Sequence, residues 1–425
     1  MYKIPSMISI CKELWPYNRS ITGNGTRKSL SIIKKYTKVL KIKNFKTGEK
    51  CFDWKIPKEW NVKDAYIITP EKKKICKFKE NNLHLVGYSE KVNKYISLED
   101  LKKRLHSNKK LTQAIPYLTS YYKKYWGFCI SQIEKKKLKK GKYRVFIDST
   151  FKQGKLNYGE CLIKGRVKKE IFFSTYICHP SMANNELSGP VVMIHLINYL
   201  LARDNFYSYR FIFIPETIGS ISYLNKNIKN LRKKMLMGFN VTCVGDDKSF
   251  SFLPSKYKNS PGDSIIKKLL GKNKKFKEFT WNNRGSDERQ YCSPGIDLPV
   301  SSLMKTKYGE YDEYHTSEDK IGKTVTSKGL KETLIVYKKI IKLIEKTTYP
   351  VAKFPCEPFL TKYNLYETLS GKEKTNNKSK EFLNFLTWCD GKNSLEDIGN
   401  LAKISKTKTL NLFNILRKKD LIKIN

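Results

Sequence analysis

Apolar positions recur at helical spacing near the start of the chain. Ile8, Cys11, Leu14 and Trp15 share one face, and Pro16 ends the run. A polar loop at 18–25 separates this helix from a second one carrying Leu30, Ile33 and Tyr36, with Thr26 as its expected cap. Between about 46 and 140 the pattern shortens to β-prone runs at 65–69, 83–88, 115–122 and 126–131. One helix breaks these runs, opened by the capping box Ser97-Leu98-Glu99-Asp100. From 141 to 347 strand and helix alternate. Buried strands are expected at 171–178, 210–214, 235–244 and 299–304, and helices at 191–201, 221–234, 264–270 and 330–345. This alternation predicts an α/β fold, a mainly parallel sheet flanked by helices, with its ligand site beyond the carboxyl ends of the strands. The tail changes rhythm again. A polar stretch at 371–379 precedes helices at 380–389, 395–402 and 406–418 and a strand at 421–424, the order of a winged helix. The expected organisation is thus an α/β domain at 1–45 and 141–350, an inserted β-rich domain at 46–140 and a winged helix-turn-helix domain at 356–425.

The composition, 40% apolar and 12% aromatic over 425 residues, supports a large core and excludes wholesale disorder. No apolar run approaches the ~20 residues that cross a bilayer, and the N-terminal stretch lacks a secretory apolar block. A cytoplasmic setting without a membrane partner is the expectation. The formal charge of +45 invites a polyanionic partner, yet only 11 of the 84 basic residues are Arg. The lysines are scattered, and with the abundant Ile and Asn they track A/T-rich codons. They read as solvated surface, whereas phosphate recognition favours the arginine fork. Ten cysteines stand singly with no C-x-x-C pair, so reduced buried thiols are expected.

Five histidines make the placement of each informative. His84, His106 and His195 read as structural. His179 follows the 171–178 strand and precedes the tight segment Asn184-Asn185-Glu186-Leu187-Ser188-Gly189-Pro190, which opens a helix. Glu216 ends the next strand, where burial can raise a carboxylate's pKa and make it a base; the alternative is an ordinary helix N-terminal acid. Asp246 and Asp247 end a third strand, as cation ligands or as turn residues. The run Arg284-Gly285-Ser286-Asp287-Glu288-Arg289-Gln290-Tyr291 carries mixed charge led by Arg, unlike the lysine-rich remainder. His315, flanked by acids in Tyr314-His315-Thr316-Ser317-Glu318-Asp319, fits a metal-binding histidine. Two lone histidines and several acids at strand ends suit a zinc hydrolase, which needs a few ligands, one open position and a proton acceptor.

Cys178-His179-Pro180-Ser181, Asn185-Glu186-Leu187-Ser188-Gly189, Pro215-Glu216-Thr217-Ile218-Gly219, the 287–295 segment and Tyr314-His315-Thr316-Ser317 together resemble a family of bacterial proteins with an aminopeptidase-like domain, often associated with polysaccharide biosynthesis. That family is similar to the co-catalytic zinc exopeptidases, and the resemblance implies their fold. It implies His179 and His315 as the first and last histidine ligands and Glu216 as the general base. The bridging aspartate of the exopeptidases falls at Asn185, their second glutamate at Thr217 and a further aspartate ligand near Thr242. Each departure removes negative charge, which implies one zinc rather than two. Glu186, Glu216, Asp246 and Asp287 compete as the carboxylate that joins the histidines, with Glu288 as a second candidate base. Arg284 or Arg289 would hold a substrate carboxylate or an oxyanion. The implied substrate is a small peptide or an amide-bearing sugar precursor. The alternative is a non-catalytic regulator that binds DNA through the winged helix, with Lys403, Lys406 and Lys408 near the recognition helix.

Overall fold

The computed structural model describes residues 4–366 and 377–424. Its largest sheet has eight strands: β1 (Lys41–Lys46), β2 (Lys155–Ile163), β3 (Glu170–Tyr176), β4 (Ser208–Ile214), β5 (Met235–Asn240), β6 (Ser251–Leu253), β7 (Lys277–Glu278) and β8 (Val300–Met304). Their spatial order is β1-β2-β4-β3-β5-β8-β6-β7. The central four, β4, β3, β5 and β8, are parallel; β2 and β6 run antiparallel to their inner neighbours. Every residue of β3, β4, β5 and β8 is buried, as expected for strands covered on both faces.

One face packs against helices α1 (Met7–Leu14), α2 (Asn24–Thr37), α3 (Ser188–Leu201), α5 (Pro261–Leu270) and α6 (Ser327–Lys346). Phe173 is the centre of this layer, stacked on Phe211 at 4.8 Å with Phe239 and Tyr337 around it. The other face packs against α4 (Ile218–Lys234) and part of the insert. Close packing at the start of α3 requires Gly189: a Cβ there would stand 2.2 Å from the Val241 carbonyl oxygen and 2.3 Å from Thr175 Oγ1. The second helix starts at Asn24 behind Gly23, at φ +103°, rather than at Thr26. The Thr26 hydroxyl is instead engaged by the Ser20 backbone, accepting from its N–H and donating to its carbonyl.

The small sheet of the insert pairs Glu59–Ile68 with Lys74–Ile75 and with Lys142–Lys152, which also pairs with Val92–Ser97. The strand Lys142–Lys152 therefore belongs to this sheet, although it lies past 140. The runs at 83–88 and 115–122 are not strands. Their β pairing is confined to isolated bridges at Leu85, Gly87, Pro116 and Thr119, and Tyr88 at φ +63° breaks the extended path. Of 126–131 only Phe128–Cys129 pairs, with Leu105–His106.

The tail holds helices Asn377–Thr387, Leu395–Leu401 and Lys406–Lys418 and the strand Ile422–Ile424, in winged-helix order. That last strand pairs antiparallel with Pro350–Ala352, and the tail has its own core around Phe385, Ile398 and Leu416. Ser394 and Asp397 form a capping box at the start of the second of these helices. Of the polar stretch expected at 371–379, residues 371–376 lie outside the described residues, and 377–379 already form the first helix. Among the described residues, no helix is long and apolar enough to cross a membrane. All ten cysteines are free thiols, nine of them buried and Cys356 exposed.

Candidate functional site

β3 delivers His179 just beyond its carboxyl end, and the turn after Tyr314 delivers His315. The two rings lie 5.4 Å apart between centroids. Tyr117, carried by the insert, stands edge-on to both, at 5.0 and 5.2 Å. The insert is tied down here: Tyr117 N–H donates to the His315 carbonyl at 2.8 Å, Ser317 N–H to Ile115 O at 2.8 Å, and Ile115 N–H to Ser317 Oγ at 2.9 Å. This crosspiece buries the imidazoles. Burial pushes both down to about 3, helped for His179 by the Arg19 charge and for His315 by His179, so both rings are neutral near pH 7.

His179 Nδ1 is 2.9 Å from Glu186 Oε2, and Nε2 is 3.7 Å from Glu216 Oε2. His315 Nε2 is buried with no hydrogen-bond partner among the described residues. Cys178, His179 and Glu186 each offer a ligand atom within 4.8 Å of the others. Glu186, however, already faces Nδ1 with one oxygen, and its other oxygen lies 3.5 Å from Arg19 Nε.

Glu216 keeps a fifth of its side-chain surface open, the most exposed acid beside the rings. Ser286 Oγ donates to Glu216 Oε1 at 2.9 Å. Crowding by protein atoms, then the Asp287 charge, raises this carboxyl above the ordinary range. Asp287 is fully buried and likewise raised by burial. Its Oδ1 accepts from Thr217 N–H and Ser220 Oγ, each at 2.8 Å, while Oδ2 has no partner among the described residues. Thr217 sits at φ +64°, an uncommon conformation for a β-branched residue. Its hydroxyl accepts from Arg289 Nη2 at 2.8 Å, which sets Arg289 at the edge of the Glu216 site.

Three candidates stand elsewhere. Both oxygens of Glu288 are occupied: Oε1 accepts from Gly285 N–H, Ser286 N–H and Tyr308 OH, Oε2 from Asn240 Nδ2 and Ser302 Oγ. These donors hold the carboxylate in place and leave neither oxygen without a partner. Asp246 accepts from Lys248 N–H, Asn184 Nδ2 and Thr306 N–H and so ties these loops together. Arg284 is exposed and folded back on Trp281, donating to that residue's carbonyl at 3.2 Å. At the three positions where the resemblance implied acids, Asn185 donates to Tyr176 OH, Thr242 donates to the Asn185 carbonyl, and Thr217 binds Asp287 and Arg289.

Two residues of the site escaped the sequence reading. Arg19 lies in the polar loop before α2; the available signal was an arginine in a chain that uses lysine almost everywhere. Tyr117 lay in a run read as a strand.

Comparison with known proteins agrees with this architecture. Residues 8–347 match the family described as domain of unknown function DUF4910, and 347–424 match a winged helix-turn-helix family. A Clostridium acetobutylicum protein, whose name joins polysaccharide biosynthesis with an aminopeptidase-like domain, is 43% identical over 397 residues, covering 92% of this chain and 89% of that protein. A crystal structure of a C. acetobutylicum protein described as a peptidase is 39% identical, covers 99% of this chain and 96% of its own, and superposes with a TM-score of 0.79. A zinc aminopeptidase from Bacillus subtilis shares the fold at 14% identity and a TM-score of 0.57, over 80% of this chain and 96% of its own. The chain therefore belongs to the DUF4910 family, an aminopeptidase-like α/β domain, here followed by a winged helix-turn-helix domain.

Proposed function

We propose that this protein is a zinc-dependent hydrolase of an amide or peptide bond, with His179 and His315 as the imidazole ligands and Glu216 as the proton acceptor. The observation that carries the reading is the pair of neutral rings, 5.4 Å apart, with a buried and unpartnered His315 Nε2 and a carboxylate facing His179 Nε2. Neutral imidazoles with free nitrogens suit a borderline-soft divalent cation, and one ion is the proposed load, since Asn185 and Thr242 supply no charge for a second. When bound, zinc supplies a polarised water near neutral pKa and a Lewis acid for the carbonyl.

The chain's own groups do the rest. Glu216, raised by its surroundings and held on one oxygen by Ser286, keeps the other oxygen for a proton and can return that proton to a leaving amine. Arg289, held by Thr217 beside Glu216, offers positive charge to a substrate carboxylate or an oxyanion. The first substrate class is a peptide N-terminus. The name of the C. acetobutylicum relative supports testing amide-bearing sugar precursors as the second.

Metal analysis of the purified protein, with His179→Ala and His315→Ala, is the test. Loss of bound zinc in both variants is expected, and unchanged metal content in both would refute the assignment. Glu186→Gln, Glu216→Gln and Asp287→Asn in the same series identify the carboxylate that joins the histidines.

The second reading is a DNA-binding regulator. The outward face of Lys406–Lys418 supports it, with Lys406, Asn411, Asn414 and Arg417 exposed. Against it, Lys408 is paired with Glu381. The start of this helix also shares a cleft of about 570 Å³ with Lys268, Leu343 and Lys346 of the α/β domain.

A further inference from the structure

Arg289 lies among the acids Glu216, Asp287 and Glu288, and among the described residues it forms an ion pair with none of them. Glu216 accepts from Ser286, Asp287 Oδ1 accepts from Thr217 and Ser220, and Glu288 has both oxygens filled. The buried Nε–H of Arg289 and the buried Oδ2 of Asp287 are each without a partner among the described residues, so the two do not reach each other. What holds the guanidinium is the Thr217 hydroxyl, which accepts from Nη2 at 2.8 Å. Thr217 follows Glu216 in sequence, and Glu216, Thr217 and Arg289 are all half-buried, so this cation reaches the open side of the site next to the base. We propose that Arg289 binds the α-carboxylate of the leaving residue, which makes the substrate a dipeptide or an N-acyl amino acid cut beside its free carboxyl end.

The offset of Arg289 from the imidazoles decides between a carboxylate and an oxyanion. Its charge is felt by the Glu216 carboxyl and the Tyr314 phenol, whereas His179 feels Arg19 and His315 feels His179. Tyr314 spans the gap: its ring is stacked on His315 at 3.9 Å between centroids, and its phenol end lies toward Arg289. An oxyanion forms on the acyl carbon, against the imidazole pair, and Arg289 stands further out than that. On the function proposed above, on which this inference rests, Glu216 takes a proton from the attacking water and gives it to the leaving nitrogen as the C–N bond breaks. A group beside Glu216 and away from the rings therefore stands along the leaving amine. In an amino acid the carboxylate is one carbon from that nitrogen. It supplies acceptors for the unpartnered Nε–H and a second N–H of the fork, the two-point geometry for which arginine is suited and lysine is not.

The test presents alanyl-alanine, leucyl-alanine and glutamyl-alanine, each with its C-terminal amide, to the zinc-loaded full chain, and chromatography of the released amino acid gives kcat/KM. The free dipeptides are expected to exceed their amides by about 100-fold or more, since a site built for a polar group rejects the analogue that lacks it. Arg289→Gln is expected to bring each pair to within a few-fold, mainly through a raised KM for the free dipeptide, and Arg289→Lys to recover part of the preference. A merely structural Arg289 lowers both rates together and keeps their ratio, which would overturn the proposal. So would a wild-type protein that cuts the amides equally well, a result that needs no variant to fold. Titration calorimetry of the metal-free full chain with the same pairs separates this inference from the hydrolase reading. Tighter binding of the free dipeptides that is lost in Arg289→Gln, in a protein that cuts none of them, upholds the carboxylate site and removes the hydrolase. Equal binding of both forms, or no binding, in such a protein removes the carboxylate site as well.

Discussion

At the scale of single residues, the two imidazoles set how the protein responds to acid. Both are held at about 3 by burial, whereas an exposed imidazole titrates near 6.5. Between those values the unfolded chain binds two protons that the native protein does not. The contribution of the rings to stability therefore falls as pH drops from 6.5 towards 3, by about 1.4 kcal/mol per pH unit for each ring, while the raised carboxyls of Glu186, Glu216 and Asp287 contribute with the opposite sign. Denaturant titrations of the metal-free protein and of a His179→Asn/His315→Asn double variant should differ by this slope. An identical slope in both proteins would mean that the rings titrate as if exposed. These histidines were legible because histidine is scarce here and both fall where strand or turn patterning ends. The surroundings of Glu288 were not legible for the opposite reason. Its five donors come from Gly285, Ser286, Tyr308, Asn240 and Ser302, so their convergence is a property of the fold and leaves no local trace. Arg19 was hidden in the same way, since a polar loop residue becomes buried only once α1, α2 and the histidine loop meet.

Among elements, the long buried ones were the easiest to read. β3 and β4 are fully buried, largely apolar runs because helices cover both faces, and α6 shows its buried stripe at Leu330, Tyr337, Ile341 and Ile344. Phe173 sits where these layers join. Phe173→Ala should cost about 3–5 kcal/mol, read as a shift in the denaturation midpoint, because rings packed on both sides cannot close the cavity. A cost below 1 kcal/mol would show that the layer relaxes freely. The insert was harder. Its runs at 83–88 and 115–122 have strand-like composition but spend their backbone groups on isolated bridges, turns and the histidine loop. Composition reports that a segment suits a pleated, half-buried surface; it does not report whether a partner strand runs alongside.

For the molecule as a whole, the excess of lysine is the largest quantity and the least specific. Weak, salt-sensitive attraction to any polyanion follows from +45 alone. Duplex binding by the tail must therefore be judged by site: Lys406→Glu should leave this general attraction nearly intact, and a collapse of binding on that one change would favour the regulator. Fluorescence anisotropy with labelled duplex across a salt series distinguishes these outcomes.

The crosspiece of the insert has a mechanical consequence. Tyr117 is bonded to the peptide of His315 itself, and Ile115 to Ser317 two residues on. Lifting the cover to admit a guest thus tugs on the very backbone that aims the second imidazole. Access and alignment are thereby coupled, and a change that frees the cover would also loosen the aim of that ring.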